Sequence, residues 1–347
     1  MIISQHNLGS MASFRSSAAK LRCIKRLKYT IASRFSSSNS VDTNSSFFKL
    51  HADDKAKYER DGYLVVTDIL SEEEKKELID ATDELIEMSK SKTQSDKYFM
   101  LEEGHSSTRS LLKRSRVICP SLIHPVWNKA LRHPKLLDVI SQLVDSPSIR
   151  YIMQEKIHMK FPGEDGSSGI KWHQETRKEG VCLLSIVTVG LAVDDSTKEN
   201  GCLQVVPGTH KQPILSHFKD GTFVSAIEDP SFDSSKAVHV EVPAGGASFH
   251  HVRTAHASGP NNSTQSRRVC FTQYCATDAW PLIGVVGPEG YGVEGPVDWE
   301  RFCSTIVRGS PTLYPRMVEI PISLPFPYER GYDVFHNDSQ EAAESKQ

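Results

Sequence analysis

Four residues carry the chemistry this chain could do. His173 and Glu175 are two positions apart, His256 lies far along the chain, and Arg267 follows that histidine by eleven residues. Two neutral imidazoles and one carboxylate on one face of a ferrous ion leave the opposite face open, the arrangement of non-haem Fe(II) oxygenases. Two of the open positions suit a bidentate 2-oxo acid, and a third suits dioxygen. A guanidinium near such a site pairs bidentately with the distal carboxylate of a dicarboxylate co-substrate. Ser258 could add a hydroxyl donor to the same carboxylate.

These residues need a particular scaffold. Positions i and i+2 of a strand project to one face, so His173 and Glu175 reach one ion if 172–175 is extended or ends a strand. A β-sandwich can bring His256 to them from a separate strand. Gly259-Pro260-Asn261 then makes a tight turn, and Arg267 starts a returning strand that points it back toward the pocket. His-x-Glu alone arises often by chance; the second histidine, the turn and the arginine in order are what make it specific. His250 and His251 are rival distal ligands on the strand before the turn, and one of them suits an outer hydrogen-bonding role. Trp172 reads as a packing residue, His210 as a loop end, and Asp194-Asp195 as a solvated strand end.

The elements follow from local pattern. Asp61-Gly62 is a turn signal before a strand at 63–66. Ser71-Glu72-Glu73-Glu74 has capping-box spacing, and Leu78, Ile79, Thr82, Leu85, Ile86 and Ser89 recur at helical spacing behind it. A second helical region spans 125–143 and is interrupted near Pro134. Short β-rich runs follow at 149–161, 181–193, 201–206, 238–242, 247–250 and 269–275. Helices first and strands after predict a mainly β fold with helical support, built on a double-stranded β-helix, a jelly roll of cupin-like form. A single domain is expected over 42–336, with a core at about 55–280. A Gly/Pro-rich extension at 281–336 offers a lid or an oligomer contact, and 337–347 is a polar tail.

Residues 1–41 are a different material. They hold Arg15, Lys20, Arg22, Lys25, Arg26, Lys28 and Arg34, many serines and no acidic residue. That composition fits an organelle transit peptide and a mitochondrial address, with a plastid or a cytoplasmic location as alternatives. The whole chain of 347 residues has a formal net charge of −2, which gives no general attraction to nucleic acid. No apolar run is long enough to span a membrane. The partner expected is a small-molecule substrate; the oligomeric state stays open. Seven cysteines, an odd number with no Cys-x-x-Cys, read as reduced and mostly buried. A structural zinc site on Cys270 and Cys275 is one alternative reading. A jelly-roll ligand-binding protein without productive iron is another.

The motifs Lys171-Trp172-His173-Gln174-Glu175, Asn200-Gly201-Cys202-Leu203, Pro207-Gly208-Thr209-His210 and His256-Ala257-Ser258-Gly259-Pro260-Asn261, with Arg267, resemble in order those of the phytanoyl-CoA dioxygenase family. The resemblance covers about residues 55–280. It implies an Fe(II)- and 2-oxoglutarate-dependent dioxygenase that hydroxylates a small organic substrate with dioxygen and releases succinate and carbon dioxide. It implies that His173, Glu175 and His256 are the iron ligands at the catalytic centre, and that Arg267 and Ser258 hold 2-oxoglutarate. Gln154 and His158, ahead of Lys160-Phe161-Pro162-Gly163, stand where related enzymes place further co-substrate contacts. One departure is clear: the family usually has aspartate where this chain has Glu175. Glutamate keeps charge and donor type and adds about 1.5 Å of reach. A carboxylate in that slot also favours hydroxylation over halogenation. Lys113, Arg114 and Arg116 form a small basic cluster that could suit a CoA ester or simply face solvent.

Overall fold

The capping box forms as its spacing predicts. Ser71 accepts a hydrogen bond from Glu74 N, Glu74 answers at Ser71 N, and a 19-residue helix follows. In this computed structural model the described residues are 47–101, 116–162, 169–175, 186–220, 222–224, 226–280 and 299–316. The helices are α1 (Ala52–Asp61), α2 (Glu72–Lys90), α3 (Pro120–Ile123), α4 (Pro125–Ala130), α5 (Pro134–Leu143) and α6 (Trp299–Ser304). Proline opens α3, α4 and α5, where its missing N–H costs nothing. The expected interruption near Pro134 is the boundary between α4 and α5. Gly62 ends α1 with φ 82°, a conformation open to glycine, and turns the chain into the first strand. No described helix is long and apolar enough to cross a membrane.

The strands are β1 (Tyr63–Val66), β2 (Phe99–Met100), β3 (Arg116–Ile118), β4 (Ile149–Lys160), β5 (Ile170–His173), β6 (Ile186–Ala192) and β7 (Leu203–Val205). They continue with β8 (Phe218–Lys219), β9 (Thr222–Phe223), β10 (Val238–Val240), β11 (Ala247–His251), β12 (His256–Ser258), β13 (Arg267–Ala276) and β14 (Ile306–Arg308). The large sheet runs β1-β11-β6-β13-β4-β3-β2, with β14 also pairing β4; the small sheet runs β10-β7-β12-β5. The pairs are antiparallel, as in a jelly roll whose neighbours in space are distant in sequence.

Strand alternation sorts the side chains of the large sheet into two populations. On the outer face, Val189, Leu191, Phe249 and Cys270 join Leu85 and Trp127 of the helices in one apolar cluster. On the inner face, Ala192 and Val269 meet Leu203, Val205, Val240 and Val242 in a second one. β13 shows the switch within two residues: Arg267 is turned inward, and Arg268 outward. Arg268 Nε and Nη2 donate to the two carboxylate oxygens of Asp194 at 2.8 and 2.7 Å, and Nη1 reaches Asp83 on α2. The expectation of a solvated strand end at Asp194-Asp195 holds for Asp195, which is exposed and accepts from Ala244 N at 2.8 Å, and is corrected at Asp194, which clamps Arg268.

One further expectation changes. Cys270 and Cys275 lie five positions apart on the extended strand β13, roughly 16 Å of backbone. They cannot share a zinc ion; both are buried free thiols. After residue 100 the described part forms β3, between β2 and β4 in the large sheet, and then the short helices α3, α4 and α5. The first 41 residues, Lys113, Arg114, and the stretches 281–298 and 317–347 lie outside the described residues.

Candidate active site

The two histidines are cross-strand partners. His173 ends β5 and His256 begins β12, and their Cα positions pair in the antiparallel register. Their ring centroids are 4.1 Å apart. Glu175 follows His173 in a bend whose backbone is tied to the next element, with Glu175 N donating to Val252 O at 2.9 Å. Its Oε1 lies 3.6 Å from His173 Nε2 and 3.8 Å from His256 Nε2. One ligand atom from each of the three falls within 4.8 Å of the others, and this is the one such His/Cys/Asp/Glu group among the described residues.

The donor set fits a divalent iron. His173 Nδ1 donates to Lys171 O at 2.8 Å and His256 Nδ1 donates to Thr254 O at 2.9 Å. Those bonds set the tautomer, so both Nε2 lone pairs point at the gap beside Glu175. Burial holds His256 well below the ordinary histidine range, reinforced by His173 and His250, so it stays neutral and able to ligate. Gln174, between His173 and Glu175, faces away from the gap. Its amide donates to Arg253 O at 2.5 Å and accepts from Leu215 N at 3.0 Å. Its backbone N–H donates to His217 Nε2 at 3.0 Å. His217 is therefore a bracket for the bend that carries Glu175, and burial pushes its pKa down to about 4. Nothing in the local sequence marks it.

Arg267 is 2% exposed. Its Nε donates to Ser196 Oγ at 3.2 Å, while its two Nη groups have no hydrogen-bond or ion-pair partner among the described residues. Burial lowers it to about 10. A desolvated guanidinium with an unused donor pair is a receptor for a carboxylate. A narrow cavity between the sheets reaches it, lined in part by Ser196, Leu203, Val240 and Ser248. Lys160, the register partner of Arg267, donates to Ser258 Oγ at 2.8 Å, to Gly201 O at 3.2 Å, and to Gly259 O. Because an ammonium only donates, Ser258 accepts from it and keeps its own O–H for another acceptor. Lys160 was legible only as part of a motif; its role in aiming Ser258 comes from the β4–β13 register.

The remaining sequence candidates separate. His158 is on β4, two positions before Lys160, with its ring edge-on to Phe271 at 5.5 Å. The side chain of Gln154 lies outside the described residues. His250 is buried beside the triad, its ring 4.6 Å from that of His256. His251 is turned the other way, where its Nδ1 accepts from Arg253 N at 3.1 Å. Trp172 packs on Phe232 at 5.6 Å. His210 is buried in a short 3-10 turn.

A jelly roll with two histidines, a carboxylate and a buried arginine on its inner walls defines a class, the iron- and 2-oxoglutarate-dependent oxygenases. The fold matches that of the epimerase SnoN, crystallised with Fe3+, alpha-ketoglutarate and nogalamycin RO. The two share 23% identity and a TM-score of 0.56 over 74% of this chain and 98% of the other. Within that class the chain belongs to the phytanoyl-CoA dioxygenase family, whose model matches residues 58–269. It is 30% identical over 305 residues to a probable alpha-ketoglutarate-dependent hypophosphite dioxygenase of Stutzerimonas stutzeri, across 86% of this chain and 99% of the relative. It is 28% identical over 220 residues to the methylphosphonate hydroxylase of Gimesia maris, across 63% of this chain and 78% of that protein. The chain is an iron- and 2-oxoglutarate-dependent dioxygenase that uses dioxygen.

Proposed function

We propose that His173, Glu175 and His256 hold the iron, that Arg267 and Ser258 hold the distal carboxylate of 2-oxoglutarate, and that a small polar molecule is hydroxylated beside them. The observation that carries this reading is the buried Arg267, whose two Nη groups have no partner among the described residues, on the same inner wall system as the triad. Iron bound there supplies, with 2-oxoglutarate and dioxygen, the oxidising power for hydroxylation, and the co-substrate leaves as succinate and carbon dioxide. The protein does the positioning. Backbone carbonyls of Lys171 and Thr254 hold both imidazoles with Nε2 forward. Lys160 aims Ser258, and the apolar inner cluster excludes water around Arg267. Glu175 takes the place usually held by aspartate; its location beside both Nε2 atoms supports ligation with the longer side chain.

The test is succinate release from 2-oxoglutarate across a substrate panel including hypophosphite, methylphosphonate and an acyl-CoA, with His173→Ala as control. Substrate-stimulated release in the wild type and none in the variant is expected. No stimulation by any member of a broad panel would sink the reading. We also propose a single domain over 42–336 and mitochondrial delivery by the basic, acid-free residues 1–41. Import into isolated mitochondria with loss of that segment is expected; a full-length product left outside refutes it.

A further inference from the structure

Three polar side chains form a row across the inner wall. In register, His250 on β11 is opposite Thr188 on β6, and Thr188 is opposite Gln273 on β13. Direct partners share a face, and this face carries Phe271 and Arg267 inward as well. All three are buried, at 1%, 4% and 8% exposure. Each has a polar atom with no partner among the described residues: both ring nitrogens of His250, Oγ1 of Thr188 and Oε1 of Gln273. Buried polar groups in folded proteins are nearly always bonded, so three orphans in one row mark a place where something else binds.

The row starts at the triad, because the His250 ring lies 4.6 Å from that of His256. It does not belong to the arginine end. Arg267 and Gln273 are six positions apart on β13, about 20 Å of strand. The co-substrate's distal carboxylate therefore leaves the row free for the molecule that is oxidised. The neighbouring wall is cationic. Lys156, 7% exposed, is the register partner of Phe271, and Arg116 is the register partner of His158. His158 is held well below its usual range first by burial, then by Arg116, Lys156, Arg267 and Lys160, which places four positive charges around it.

We infer that His250, Thr188 and Gln273, with Lys156 adjoining, form the prime-substrate subsite, and that its ligand is a compact oxyanion and not a long acyl chain. An acyl chain laid on this row would cover orphan donors and acceptors without bonding them, whereas a small oxyanion that keeps one O–H, such as a singly protonated phosphonate, accepts from the His250 imidazole and the Thr188 hydroxyl and donates to Gln273 Oε1, with the positive charge of Lys156 on the neighbouring strand. Phe271, partly buried, closes the space between His158 and His250, its ring 5.5 Å from one and 6.4 Å from the other, and so limits the ligand's size. This assignment depends on the iron site proposed above.

The experiment is an anaerobic titration followed by the visible charge-transfer absorption of protein loaded with Fe(II) and 2-oxoglutarate. The probes are methylphosphonate, hypophosphite and octanoyl-CoA, with calorimetry in parallel. Methylphosphonate or hypophosphite is expected to shift the band and bind measurably, and octanoyl-CoA to do neither. Thr188→Val and Gln273→Leu are each expected to weaken that binding by roughly tenfold while leaving the band before titration unchanged. A band that appears but responds to no oxyanion, or only to octanoyl-CoA, overturns the subsite and leaves the iron site standing. Equal oxyanion affinity in wild type and both variants also overturns it. No band in the wild type overturns the iron site and the subsite together.

Discussion

Arg267→Met separates two roles that would otherwise be confounded. Arg267 is 2% exposed, makes one hydrogen bond to Ser196 and has no anion against its Nη groups among the described residues. A charge buried without a partner carries a desolvation penalty of several kcal/mol. Methionine fills a similar space without that penalty. Against it stands the lost bond to Ser196, about 1.5–3 kcal/mol for a charged donor. The balance predicts a co-substrate-free protein that is about 1–2 kcal/mol more stable than wild type, or roughly 2–6 °C in Tm. Affinity for 2-oxoglutarate moves the other way. Two charge-assisted bonds are lost, at least about 3 kcal/mol together, so binding weakens roughly 100-fold or more. Differential scanning calorimetry of the protein without co-substrate and succinate kinetics against 2-oxoglutarate concentration read the two effects separately. A variant with a sharply lowered Tm and an unchanged KM for 2-oxoglutarate would show that Arg267 is a structural residue, and the reasoning fails.

Other expectations follow from the same geometry. Glu175→Ala abolishes the anaerobic charge-transfer band, and Glu175→Asp weakens Fe(II) affinity about tenfold by withdrawing the carboxylate about one C–C bond; retention of full iron affinity by the alanine variant would refute ligation. His217, lowered to about 4 from 6.5, binds its proton less readily folded than unfolded, so its contribution is complete above about pH 6.5 and lost as pH falls toward 4. Urea unfolding of metal-free protein should show up to about 1.4 kcal/mol per pH unit from this group, a slope that His217→Gln reduces; an unchanged slope would exclude His217 as its source. Gly190→Ala places a Cβ 2.7 Å from Phe271 Cε1 and from Ser248 Oγ, costing about 1–3 kcal/mol and tilting the aromatic wall. Calorimetry showing no loss of stability would mean that the wall yields freely.

The strongest sequence signals were those with a short-range physical cause. Ser71 and Glu74 are three apart and satisfy each other's backbone donors, so α2 could be read from four letters. The long inner strands β4, β6 and β13 announced themselves by apolar and β-branched content. β5 and β12 did not, because they have four and three residues and carry the histidines in place of apolar side chains. They were predicted only as places where ligands had to be. The triad was legible because its members belong to recurring motifs. His217, Lys160, Thr188 and Gln273 act through register, and register between strands far apart in sequence leaves no mark on the letters around them. Asp194 was misjudged for the same reason: its partner Arg268 is distant in the chain and adjacent only in the sheet.

The separation of the two apolar clusters has an evolutionary consequence. The helix-backed outer cluster and the inner cluster have no residue in common. Substitutions on the inner wall can therefore change what the chamber accepts while the larger outer core goes on supplying the stability that tolerates them. A library confined to inward positions such as Thr188, Phe271 and Gln273 should retain a high fraction of folded members. The same number of changes at Val189, Cys270 and Tyr274 should not. Insulation of this kind makes the chamber an evolvable compartment, one in which new substrate preferences can arise without first dismantling the wall that holds them.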